Sequence, residues 1–61
     1  MLEYDWRGNC YTADNLDDIR RAGYEIIDNP IPFKPGVVQV PAVRCEGYHC
    51  TFALVYVKEE R

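Results

Sequence analysis

Long apolar runs are missing from this 61-residue chain: the longest, Phe52 to Val57, spans six residues, where a membrane-crossing helix needs roughly 20. No membrane association is expected. The opening residues Met1-Leu2-Glu3-Tyr4-Asp5 place no basic segment ahead of an apolar one, so no signal peptide is expected and the expected compartment is the cytoplasm. Basic clusters are also missing. Seven Lys and Arg side chains are scattered among ten Asp and Glu, giving a formal net charge of -3. A general binder of phosphate backbones draws its affinity from clustered cations, so nucleic acid is not the expected partner. The cysteine count is odd, three, which does not suit a disulfide framework. The sequence contains no nucleophile elbow, phosphate loop, H-E-x-x-H helix or calcium loop. A chain this short buries roughly 60% of its unfolded surface, which leaves little room for an enclosed active site. The expected function is non-catalytic, with no cofactor.

Apolar residues, by contrast, are ample. They make up 48% of the chain, too rich for a disordered segment and enough for one packed core. Residues 1–61 read as a single small α+β domain. Five of the eight aromatics are tyrosines, which supply apolar area with a polar tip and suit half-buried or contact positions.

Leu2-Glu3-Tyr4-Asp5-Trp6 alternates apolar and acidic residues as a half-buried strand does, with Leu2, Tyr4 and Trp6 on one face. Arg7-Gly8-Asn9 is a turn, after which Cys10 and Tyr11 return briefly beside the first strand. A helix follows, with Asp14 or Thr12 as its N-cap. Its apolar stripe is Ala13, Leu16, Ile19 and Ala22 or Gly23. Asp14, Asp17 and Asp18 sit near its start and Arg20 and Arg21 near its end, which complements the helix dipole. Asp17 and Arg21 make a favourable i,i+4 pair, and Gly23 is the expected C′ residue. Tyr24 to Ile27 forms a short strand, closed by Asp28-Asn29-Pro30. The stretch Pro30 to Gly36 holds three of the four prolines and is expected to be extended, irregular and largely polyproline-like.

Val37 to Arg44 and Cys50 to Lys58 read as one long hairpin, rich in β-branched and aromatic residues. A four-residue loop sets Cys45 opposite Cys50, Val43 opposite Phe52, Pro41 opposite Leu54 and Gln39 opposite Tyr56. A tight turn at Glu46-Gly47 instead pairs Cys45 with Tyr48. Both registers give the same division into faces. One face carries Val37, Gln39, Pro41, Val43 and Cys45 with Cys50, Phe52, Leu54 and Tyr56. The other carries Val38, Val40, Ala42 and Arg44 with Thr51, Ala53, Val55 and Val57. Pro41 cannot donate a ladder bond and belongs on an edge side or at a bulge.

Both hairpin faces are apolar, and one short helix covers only one. The expected fold is therefore a mostly antiparallel sheet of three to four strands in the order β-α-β-β-β, with the helix on one face. The larger Phe52, Leu54 and Tyr56 suit the helix side. The flatter face of Val38, Val40, Val55 and Val57, with Tyr48 and Trp6 at its margin, is the expected docking surface. The plainer alternative is that the proline segment and the first strand fold over it. The expected function is a protein-binding, inhibitory or regulatory module that self-associates as a homodimer or serves as a subunit of a larger complex.

Other constellations in the sequence carry chemistry of their own. Cys10, Cys45, His49 and Cys50 are the residues able to ligate zinc, but Cys45-x4-Cys50 is wider than the two-to-four-residue pairing structural zinc prefers. Buried cysteines also serve as small hydrophobes. A cross-strand Cys45–Cys50 disulfide is feasible in the wider register and is labile or absent in a reducing cytoplasm. A cysteine nucleophile needs Cys45, Cys50 or Cys10 beside His49, with Glu46 orienting it, although a lone histidine near a turn is more often simply solvated. Pro32-Phe33-Lys34-Pro35 has the P-x-x-P form that aromatic grooves recognise. Trp6, Tyr4 and Tyr11 near Arg7, or Tyr48 near Arg44, are the residues suited to stacking bases in a nucleic-acid-associated accessory role.

Overall fold

The computed structural model describes residues 1–59. Two short strands, β1 (Glu3–Asp5) and β2 (Cys10–Ala13), precede helix α1 (Leu16–Arg21). Then come β3 (Glu25–Ile26), β4 (Ile31–Lys34), β5 (Val37–Glu46) and β6 (His49–Lys58). The fold is α+β, with a mostly antiparallel sheet and one short helix packed on it. The sheet has six strands, ordered β1-β2-β6-β5-β3, and β4 also pairs with β5. It therefore exceeds the expected three to four strands, because Cys10–Ala13 and the proline segment both enter it.

Antiparallel pairing joins β5 and β6 over their whole length, from Val37↔Lys58 through Cys45↔Cys50 to Glu46↔His49. This is the wider of the two registers. The β2–β6 pair is parallel, with Tyr11↔Val55 and Ala13↔Val57. Parallel neighbours need a crossover rather than a hairpin, and here residues 14–48, with the helix and three strands, lie between them. β3 and β4 together fill one position along the outer side of β5. Ile26 pairs with Ala42 and Ile31 with Gln39, so five steps on one strand match three on the other. Pro41 explains the break. Its carbonyl accepts from the Ile27 N–H at 3.1 Å, but proline has no N–H to return, so the partner strand lifts away through Asp28-Asn29-Pro30. The proline segment is thus strand rather than irregular loop, with a bulge between Pro32 and Lys34.

Helix α1 is capped by Asn15, one residue after the expected Asp14 cap. The Asn15 Oδ1 accepts from the Asp18 N–H at 3.0 Å, which satisfies one of the donors that a helix start leaves free. Gly23, at φ +90°, ends the helix. Its N–H donates to the Arg20 carbonyl at 3.0 Å, and the Tyr24 N–H reaches back to Ile19 at 3.2 Å. Asp17 pairs with Arg20 at 3.1 Å, one residue short of the expected Arg21.

The core is made by Ala13, Ile19, Tyr24, Val40, Ala42, Ala53, Val55 and Val57, with Leu2, Tyr11, Leu16, Ala22, Ile26 and Val38 packed against it. The division of the hairpin into faces is as expected, but the covered face is the opposite one. Val40 and Val55 are fully buried and Val57 nearly so, while Val38 is half-buried in the same cluster. The chain covers this face itself, so these four valines are not a docking surface. The reason lies in the helix. Six residues offer one fully buried side chain, Ile19, flanked by Leu16 and Ala22. A floor of valines and alanines lets so short a helix and Tyr24 approach closely, where Phe52 and Leu54 would hold them off.

Candidate interaction face

Alternation along each strand fixes what the uncovered side of the sheet carries. The pairings run in transverse rows, because residues directly opposite one another share a face. One row is Glu3, Thr12, Tyr56, Gln39 and Ile31. The next begins with Asp5 and Cys10 and continues through Leu54 and Pro41 to Ile27. A third is Phe52, Val43 and Glu25. Among the described residues no helix lies over these rows. Phe52 is 61% exposed, Ile27 51%, Phe33 50%, Ile31 47% and Leu54 40%.

The face is ordered as well as apolar. Phe33 stands edge-on to Tyr56 with ring centroids 4.8 Å apart, and Gln39 Nε2 donates to the Tyr56 hydroxyl at 3.0 Å. Toward the end of the sheet carrying Lys34 and Lys58 the surface is concave, with a hollow of about 420 Å³ between the acidic β1 side (Glu3, Asp5) and Phe33, floored by Cys10, Thr12 and Tyr56. Glu3 and Asp5 therefore mark the β1 edge of the face, Glu25 the β3 end of the opposite edge and lysines one corner, with apolar side chains between them.

On the helix side, Asp18 is the one buried charged residue among those described. It accepts from the terminal ammonium of Met1 and from the Asp14 N–H. The hydrogen bond from the Met1 ammonium, with its positive charge, holds the Asp18 carboxyl below its ordinary value, and the amine is held above its own. The short-range acidic pattern of the helix hid this role. Asp18 looked like one of three exposed helix-start carboxylates. Only the return of Met1 to the helix distinguishes it. A smaller hollow on the same side, about 240 Å³, gathers Tyr11, Tyr24, Arg44, Glu46, His49 and Thr51. Burial, and then the Tyr11 hydroxyl, push the Tyr24 phenol upward.

Trp6 and Tyr48 are strongly exposed; Tyr48 sits at the hairpin tip, away from the open face. Cys45 and Cys50 are bonded to each other, so neither is available as a zinc ligand or a nucleophile for His49 in this state. Cys10, half-buried and unbonded, neighbours Leu54 in the β2–β6 ladder. It lies about 13 Å along the strand from Cys50, at roughly 3.3 Å per residue. Among the described residues no group of three or more His, Cys, Asp or Glu is placed to hold a metal. The four-ligand zinc arrangement is not assembled. No helix among them is long and apolar enough to cross a membrane. Comparison of the chain with protein-family models, with curated proteins and with solved structures gave no match.

Proposed function

We propose that this chain is a non-catalytic protein-binding module whose working surface is the uncovered side of its sheet. The observation that carries the reading is the group of Ile27, Ile31, Phe33, Phe52 and Leu54, five large apolar side chains 40 to 61% exposed on the uncovered side of the sheet. Apolar patches larger than a few hundred Å² on a soluble chain mark interaction sites. Aromatic anchors at the centre with charges confined to the edge match the anatomy of protein interfaces. The reading keeps the two-sided hairpin of the sequence and moves the contact surface to the side opposite the valines.

The proposed compartment is the cytoplasm, where the thiol pool opens exposed disulfides such as Cys45–Cys50. The face survives that reduction, because Phe52, Leu54 and their partners on β5 are held by the ladder between the strands. Site-specific photo-crosslinking in expressing cells tests the reading. A photoreactive side chain at position 52 is expected to give discrete protein adducts, while one at position 17, on the outer side of the helix, gives none. Equal labelling from both positions, or adducts from neither, refutes it.

A further inference from the structure

We propose that the occupant of the open face is a second copy of this chain, stacked sheet to sheet about a two-fold axis that runs along β6, the middle column of the sheet. The proposal rests on the docking reading above and adds the identity of the partner. Three observations carry it.

The first is area. The chain exposes 4770 Å², whereas a monomeric protein of 7.1 kDa is expected to expose about 4,100 Å² from the scaling of surface with mass. The excess, roughly 700 Å², is close to the roughly 800 Å² that each partner contributes to a standard interface. The second is shape. The molecule measures 37 × 25 × 18 Å. Its short axis holds one helix layer and one sheet layer, whereas a sheet usually has both sides covered or one side polar. Two copies face to face, about 10 Å apart, form a helix–sheet–sheet–helix sandwich whose centre is Phe52, Leu54 and Tyr56 on β6, flanked by Pro41 and Val43.

The third is charge. Glu3 and Ile31 lie at opposite ends of one transverse row, and Lys34 stands beside Val37 at the neighbouring corner. An axis along the strands reverses the order of the columns and keeps their level. The acidic β1 edge of one copy then lies over the β4 edge of the other, which brings Glu3 toward the partner's Lys34 twice per dimer. An axis across the strands sets unlike levels together and loses this match.

Sedimentation equilibrium of the whole chain, from micromolar to several hundred micromolar, tests the proposal. The wild type is expected to reach twice the chain mass. Phe52→Glu, checked for folding by circular dichroism, is expected to raise the dimer dissociation constant at least about thirty-fold, the effect of removing an interface anchor. If that variant fails to fold, Phe52→Ser replaces it at the same exposed position. Glu3→Lys and Lys34→Glu are each expected to weaken the dimer, and the double variant to restore it. A wild type that stays monomeric throughout, or a Phe52 variant that dimerises as well as the wild type, overturns the second-copy proposal. The crosslink at position 52 separates this from the parent reading: an adduct to a different protein upholds the docking face and overturns the dimer, while no adduct overturns both.

Discussion

Replacing Val55 by Thr tests which side of the sheet holds the core. The two side chains have nearly the same shape and both favour strands, so backbone preference drops out of the comparison. Val55 is 0% exposed. The substitution removes one buried methyl, worth about 0.8 kcal/mol, and installs a hydroxyl among apolar neighbours, at a cost of about 1–3 kcal/mol. The sum is about 2–4 kcal/mol. A chain of this length has about 3–9 kcal/mol in total at 0.05–0.15 kcal/mol per residue. At about 4–8 °C per kcal/mol, the unfolding midpoint falls by about 10–30 °C. The control is Phe52→Thr, three residues earlier on the same strand and on the other face. With 61% of Phe52 already exposed, little burial is lost and the expected cost is about 1 kcal/mol. Thermal unfolding followed by circular dichroism, at concentrations low enough to keep the chain monomeric, reads both. If Phe52→Thr proves as costly as Val55→Thr, the helix covers the other face and the assignment of the open surface is wrong.

Three further outcomes follow from the local structure. Because the Asp18 carboxyl is held low by the Met1 ammonium, its contribution is present above the ordinary carboxylate value of 3.8 and is lost as pH falls through its lowered folded value. Urea midpoints measured from neutral to acid pH should drop there in the wild type and less steeply in Asp18→Asn. Gly23→Ala forces a side chain onto a residue at φ +90° and is expected to cost about 1–2 kcal/mol, read as a lower urea midpoint with an unchanged slope; no loss would mean the helix end relaxes freely. Ultraviolet titration of the tyrosines should show one ionising later than the ordinary 10.0, and Tyr24→Phe should remove that late step.

Much of the local structure follows from residue order. The two-residue period of Val37–Glu46 and His49–Lys58 fixes which side chains share a face, and a register shift by two residues leaves that unchanged. The helix position, its inward Leu16 and Ile19, and its end at Gly23 follow from spacing and from glycine's access to positive φ, whereas Ala13, expected in the same stripe, belongs to β2. The strand character of Ile31–Lys34 was harder to see. Its prolines read as a polyproline segment, and its pairing exists because β5 offers an open edge past the break at Pro41. The role of Asp18 depends on Met1, distant in sequence and adjacent in space.

Residue order could not choose which face of the hairpin is covered, because both faces are apolar and periodicity treats them alike. That choice belongs to the tertiary connection. β2 lies beside β6, β3 lies beyond β5, and α1 must cross the sheet between them. A crossover between strands of the same direction has one favoured hand, so the helix side is set once those strands take their places. The places are decided by pairings between residues as far apart as Tyr11 and Val55, which no local pattern encodes. The sequence by itself determined the two faces. The long-range sheet order decided that the valines became the core and that Phe52 and Leu54 were left facing outward.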